Sequence, residues 1–394
     1  MNTETVPVLL LTGYLGSGKT TLLNRILTNR KGIRFAVIVN DIGEVNIDAD
    51  LIQKGGVVTA QDDNLVALQN GCICCTLKMN LVQQLHDLCA QKIYDYIVIE
   101  ASGICEPAPI AQTLCSYPQI VDRSDAPVPV LDSIVTVVDA LRMRDEFASG
   151  NDLQKKNLGE DDLASLVIQQ IEFCNLILLN KASEVTPDEL KHIRAVIRAI
   201  QPKAEIIDCD YCDVPFSKLL DTQLFSFDEV AGSAAWIAGV EGDVDDDDDD
   251  DDHDHDHHHH HDEFHNEEEG EALEYGISTF VYYRRKPMDL NRFDEFVARH
   301  WPKSVIRCKG MCYFDSEYDM CYVFEQSGKQ FNLKQAGAFY ATMPKNELRQ
   351  ALAQDPMLRR DWDEQYGDRM QKLVFIGQNM DKETICKLLD DCLV

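Results

Sequence analysis

The chain has 394 residues, 45% of them hydrophobic, and a formal charge of −31, which accommodates two domains, or three at most, with ample core. That acidic balance argues against general binding to nucleic acid or anionic membranes, and no apolar run nears the ~18 residues of a membrane helix. The opening residues, MNTETVPVLLLTG, lack the basic start and long apolar stretch of a secretory signal, so a cytoplasmic protein is expected, its 14 cysteines mostly reduced.

In chain order, Val8–Leu11 reads as a buried strand and Thr20–Thr28 as the helix after it. Further apolar strands are expected at Arg34–Asp41, Tyr94–Gly103, Asp132–Ala140, Asn175–Ser183 and Ala204–Cys209, six in all. Helical spacing marks Leu77–Ala90 and Pro187–Ile200, the latter by Leu190, Ile193, Ile197 and Ile200. Continuous apolar strands alternating with helices predict a doubly wound, largely parallel α/β sheet. Glu241–Glu271 then carries 12 Asp and 6 Glu without Lys or Arg, leaving −13 for the rest of the chain. This stretch is too charged to form a core and is expected to be a disordered linker. Beyond it the pattern changes: strands are expected at Tyr275–Arg285, in SVIRCKG, in CYVFEQ and at Lys372–Gln378, and helices at Asn291–His300 and Lys382–Leu393. The predicted organisation is a doubly wound α/β domain over 1–232, a linker over 233–271 and a smaller α+β domain over 272–394.

Gly13–Thr20, GYLGSGKT, fits the phosphate-loop pattern Gly-x4-Gly-Lys-Thr and sits between a predicted strand and a predicted helix, the context that pattern requires. Glycines Gly13, Gly16 and Gly18, with Ser17, let the backbone curl so that its N–H groups face phosphate oxygens, and the helix start adds partial positive charge. Lys19 is expected to reach the β/γ-phosphates and Thr20 to offer its hydroxyl to Mg²⁺, with Thr21 beside it. Glu100, closing a predicted strand, is placed to hold Mg²⁺ or its water. Asn180 and Lys181 open the stretch Asn180–Ser183, NKAS. GTPases commonly carry Asn-Lys-x-Asp there, the Asp accepting hydrogen bonds from guanine N1 and N2. Here Ser183 holds the Asp position and Glu184 follows.

Gly71–Cys75 places Cys72, Cys74 and Cys75 within four residues, between the phosphate loop and Glu100. Three readings compete: a metal site, since close thiolates suit tetrahedral Zn²⁺ or Cu(I); a chance cluster in the core; and a redox centre, which the compartment disfavours. Eight of the 11 histidines, His253, His255, His257, His258, His259, His260, His261 and His265, lie in the acidic linker. Imidazoles bind Zn, Ni, Cu and Co, and the flanking carboxylates concentrate cations, so weak multi-site metal capture is favoured over a bare spacer. His86, His192, Cys89, Cys308 and Cys312 are read as structural, the last two across a strand–turn–strand with metal binding as the lesser alternative.

GYLGSGKTTLLNRIL, NDIGEVNID, NGCICC and VIEASG, in that order, resemble the CobW-type metallochaperone GTPases, relatives of the GTPases that insert nickel into urease and hydrogenase. GISTFVYYRRKPMDLNRFDEFV, RCKGMCYF and GDRMQKLVFIGQNMDKE resemble that family's C-terminal domain, so the likeness covers nearly the whole chain outside the linker. It implies GTP hydrolysis coupled to holding a metal, usually zinc, with Co²⁺ and Ni²⁺ as alternatives, and delivering it to a client metalloprotein. Homodimerisation is left open. Cys72, Cys74 and Cys75 match the family's metal motif one by one, and Glu44 is retained, whereas Asp41 stands where many members have Glu. The remaining alternatives are a zinc-sequestering protein with a vestigial GTPase, an accessory GTPase of cobalamin synthesis, and an ATPase that uses its thiols for redox sensing.

Overall fold

Parallel strands covered on both faces carry unbroken runs of Val, Ile and Leu, and those runs build the first of two compact units, Met1–Ala234 and Ala235–Val394. The computed structural model describes residues 5–28, 32–40, 65–68, 78–121, 126–147, 161–226, 275–328, 330–354 and 356–394. The expected linker therefore lies outside the described residues.

In the first unit, β1 (Thr5–Thr12), β2 (Phe35–Asn40), β3 (Leu65–Leu68), β4 (Tyr96–Glu100), β5 (Val128–Asp139), β6 (Leu176–Asn180) and β7 (Glu205–Asp208) form one sheet in the order β3-β2-β4-β1-β5-β6-β7. Every pairing is parallel. The sequence reading had six of these strands; β3 is the seventh, and four apolar residues are too short for periodicity to tell strand from helix. β4 and β6 are buried at every position. Helix α1 (Lys19–Thr28) buries Leu22, Leu23 and Ile26, which join Leu9, Leu11, Val37, Val98, Val137 and Leu178 in one core. The other helices are α2 (Lys78–Ala90), α3 (Pro107–Ile120), α4 (Ala140–Phe147), α5 (Asp161–Glu172) and α6 (Pro187–Ile200). α6 shows how local sequence sets a boundary. Thr186 and Glu189 form a reciprocal capping box and Pro187 takes the first turn, where its missing N–H costs nothing. Its apolar face, Ile193, Val196, Ile197 and Ile200, is buried.

The consequence for function is a shared edge. Leu11 registers with Glu100, Thr12 with Thr136, Asp139 with Asn180, and Leu179 with Asp208. The carboxyl ends of β4, β1, β5, β6 and β7 thus lie side by side, and the order reverses about β1, where ligands bind in open α/β sheets.

The second unit is an antiparallel sheet of β8 (Ile277–Arg284), β9 (Val305–Cys312), β10 (Met320–Ser327), β11 (Gln330–Ala338) and β12 (Gln371–Gln378) in the order β11-β10-β9-β12-β8. Its helices are α7 (Leu290–Glu295), continued by a wider turn at Phe296–His300, then α8 (Lys345–Gln354), α9 (Pro356–Arg360) and α10 (Lys382–Asp390). Phe375 stacks on Phe280 with centroids 5.0 Å apart and on Trp301 at 5.9 Å. The strand–turn–strand expected around Cys308 and Cys312 is corrected: both lie on β9, an even number of residues apart and so on one face, fully buried. Burial pushes both thiols well up from their ordinary range.

Candidate functional site

The loop after β1 owes its shape to three glycines with positive φ: Gly13 at +132°, Gly16 at +82° and Gly18 at +117°. At Gly13 and Gly18 space matters as well. A Cβ on Gly13 would lie 2.4 Å from the Val137 carbonyl oxygen, and one on Gly18 would lie 2.5 Å from Asn180 Nδ2. Ser17 donates its N–H to the Tyr14 carbonyl (3.2 Å), which closes the turn, and the Leu22 N–H bonds the Gly18 carbonyl (2.9 Å) as the helix begins. Lys19, the first residue of α1, is buried, and its Nζ donates to the Tyr14 carbonyl (3.2 Å). Its ammonium is thus held inside the loop, against a helix N-terminus, where anions are favoured.

Thr20 follows on α1, and its hydroxyl donates to Glu100 Oε1 at 3.3 Å. Glu100 ends β4 and is 1% exposed. A hydroxyl and a carboxylate from neighbouring elements form an all-oxygen donor pair, which fits Mg²⁺ carried in with phosphates. Thr21 is exposed and does not join this pair.

Asn180, at the end of β6, joins three segments. Its Nδ2 donates to the Ser17 carbonyl (2.8 Å), and its Oδ1 accepts from the Cys212 N–H (3.0 Å). The Cys212 thiol also lies 3.5 Å from the Gly18 carbonyl. Lys181 takes the left-handed conformation, φ +60°, and its Nζ pairs with Asp139 Oδ2 at the end of β5. Asp139 also accepts from the Arg142 N–H (3.3 Å). Ser183 donates both its N–H (3.0 Å) and its hydroxyl (2.9 Å) to Asp210 Oδ1. Cys209 and Cys212 share a hydrogen bond that draws the Cys209 thiol down and pushes the Cys212 thiol up, burial adding to the latter.

The structure therefore brings together Gly13, Gly16, Ser17, Gly18, Lys19, Thr20, Glu100, Asn180 and Lys181. Asp41, Glu44, Cys72, Cys74, Cys75 and the eight linker histidines lie outside the described residues. Among the described residues no group of three or more His, Cys, Asp or Glu is arranged to hold a metal ion. Cys89 is buried, which pushes its thiol up to about 11, and His86 Nδ1 lies 3.2 Å from the Tyr117 hydroxyl. Sequence reasoning missed Asp139, Asp210 and Cys212. Each carries its signal only through position: the end of β5, and the loop that leaves β7.

A parallel sheet with a glycine-curled loop, a buried lysine and a Thr–acid pair at its switch point defines a P-loop nucleoside triphosphatase. More narrowly, the chain belongs to the CobW/HypB/UreG family: residues 7–208 match its nucleotide-binding domain, and residues 277–393 match the cobalamin synthesis protein CobW C-terminal domain. It is 33% identical to "Zinc-regulated GTPase metalloprotein activator 1" of Dictyostelium discoideum, over 99% of this chain and 80% of that protein. It is also 33% identical to "Zinc chaperone CobW" of Pseudomonas aeruginosa, over 55% of this chain and 59% of that protein. The crystal structure of the Zn(II)-bound YjiA GTPase from E. coli aligns over 100% of both chains at 20% identity, with a TM-score of 0.41. Among the described residues, no helix is long and apolar enough to cross a membrane.

Proposed function

We propose that the GTP cycle of this metallochaperone controls the capture of Zn²⁺ by Cys72, Cys74 and Cys75 and its transfer to a client metalloprotein. Zinc is preferred over Co²⁺ and Ni²⁺ because thiolates suit it and because two relatives carry zinc in their names. In this reading the loop backbone at Gly13–Gly18 and Lys19 hold the β/γ-phosphates, Thr20 and Glu100 hold Mg²⁺, and Asn180 and Lys181 frame the base. Bound Mg²⁺ supplies charge neutralisation at the leaving and transferred phosphates. The protein's own part is to fix the phosphate chain, bury Lys19 against it and orient the Thr20 hydroxyl toward Glu100.

The observation that carries the coupling is the register of the sheet. Val39 pairs with Glu100, Asn40 with Leu68, and Leu11 with Glu100. Chain exits toward Asp41 and toward Cys72 therefore share the edge that holds Glu100 and Gly13. Adjacent strands are about 4.8 Å apart, so the ends of β3 and β4 are separated by about 10 Å. Cys72 lies four residues beyond Leu68, a reach of at most ~14 Å. A chain that leaves from this edge is within reach of the nucleotide end of the sheet, which supports control of its arrangement by hydrolysis. Three thiolates leave a tetrahedral ion one ligand short, and Glu44 or Asp41 are the candidates to complete it. An incomplete set suits a metal that must be handed on. The linker histidines act as a metal collector between the domains 1–232 and 272–394.

The test is phosphate release during zinc titration of wild type and of a Cys72→Ser/Cys74→Ser/Cys75→Ser variant, each with and without Asp243–Glu269. The expected result is a GTPase rate that responds to zinc in wild type and not in the triple variant. Loss of Asp243–Glu269 should lower metal stoichiometry and leave one tight site. A wild-type rate indifferent to zinc sinks the coupling and favours sequestration. Retention of tight zinc by the triple variant without the linker moves the site elsewhere.

A further inference from the structure

Reading guanine against adenine requires acceptors for the N1–H and N2–H of the base, and a carboxylate supplies both. The motif position that would provide it holds Ser183. The exits of β6 and β7 are nevertheless tied together by hydrogen bonds. Ala182 N–H donates to the Cys209 carbonyl (3.1 Å) and Cys212 N–H to Asn180 Oδ1 (3.0 Å), while the Ser183 N–H and hydroxyl both donate to Asp210 Oδ1 (3.0 and 2.9 Å). A carboxylate thus stands within hydrogen-bond distance of the side chain at 183, delivered from the neighbouring loop.

Charge accounting at this end of the sheet singles the same group out. Asp139 is paired with Lys181, Asp208 with Arg194 (2.9 Å), and Asp213 with Arg25 (2.6 Å). Asp210 has no cationic partner among the described residues, and its Oδ2 accepts no hydrogen bond there. An ionised carboxylate has about four acceptor positions. Ser183 occupies two of them, and two are left for a donor pair of the guanine kind. Adenine would turn its N1 lone pair toward that oxygen, an acceptor against an acceptor.

We propose that Asp210 is the guanine-selecting residue of this protein: the acid and the hydroxyl have exchanged loops, and Ser183 now orients the acid. This rests on GTP being the nucleotide hydrolysed.

The experiment compares kcat/KM for GTP, ATP and xanthosine triphosphate. Asp210→Asn exchanges one acceptor for a donor, which suits the 2-oxo group of xanthine and opposes the 2-amino group of guanine. The expected result is a GTP-to-ATP ratio reduced at least ~10-fold and a xanthosine-to-guanosine ratio raised at least ~10-fold, the scale of one charge-assisted hydrogen bond. The swap Ser183→Asp with Asp210→Ser should keep guanine preference, and Glu184→Gln, on an exposed side chain, should not alter it. The gain toward xanthosine triphosphate is a readout that misfolding cannot imitate. Wild type that prefers GTP, with Asp210→Asn keeping that preference, overturns the inference alone. Wild type that treats GTP and ATP alike also overturns it. Wild type that hydrolyses neither removes the GTPase reading beneath it.

Discussion

Replacing Asn180 by Ala should destabilise the nucleotide-free protein before any ligand is considered. The carboxamide is 3% exposed and bridges two groups that have little access to water, the carbonyl of Ser17 (0% exposed) and the N–H of Cys212 (1% exposed). Truncation leaves one buried acceptor and one buried donor unpaired, each costing about 1–3 kcal/mol. The expected loss is therefore about 2–6 kcal/mol, a large part of the ~5–15 kcal/mol typical of a domain. Urea unfolding followed by far-ultraviolet circular dichroism measures it, and amide exchange at Cys212 locates it. Asn180→Asp separates the two bonds. It keeps an acceptor for Cys212 but turns a second acceptor onto the Ser17 carbonyl, so it should lose at least as much stability as Ala. A loss below ~0.5 kcal/mol in Asn180→Ala, with Cys212 exchange unchanged, would refute the idea that this side chain holds the three segments together.

Lys19→Ala removes the one side-chain cation inside the loop and should lower GTP hydrolysis by at least ~100-fold with the circular dichroism spectrum retained; wild-type turnover would remove the phosphate-loop assignment. The C-terminal unit should lose stability above pH ~8.5, the ordinary thiol value. Cys308 and Cys312 are held protonated in the fold by burial, so unfolding releases their protons and stability falls as pH rises, by up to ~1.4 kcal/mol per pH unit per thiol. Urea midpoints between pH 7 and pH 10 test this, and a Cys308→Ala/Cys312→Ala variant should show the shallower slope; equal slopes would contradict the linkage.

The phosphate loop, the Thr–acid pair and helix α6 were legible from the chain alone because each depends on contiguous residues, on helical spacing or on strand ends that hydrophobic runs mark clearly. Glycines at 13, 16 and 18 announce a curl, and Leu190, Ile193, Ile197 and Ile200 mark a helix, whatever surrounds them. The continuous apolar strands likewise required a parallel sheet covered on both faces. What no linear pattern contains is which strands pair. β3 is four residues long, and β11 is exposed along its length, with only Phe331 and Leu333 alternating with polar residues before the pattern stops, so neither has a hydrophobic period long enough to read. Cys308 and Cys312 share one strand because β9 runs on through Gly310, where the backbone of β12 comes so close that an added Cβ would sit 2.0 Å from the Lys372 carbonyl oxygen. Asp210 is 27 residues from Ser183, with α6 between them. Only the parallel pairing of β6 with β7 puts the two in contact, and hydrogen bonding between strands distant in sequence is what tertiary structure alone decides.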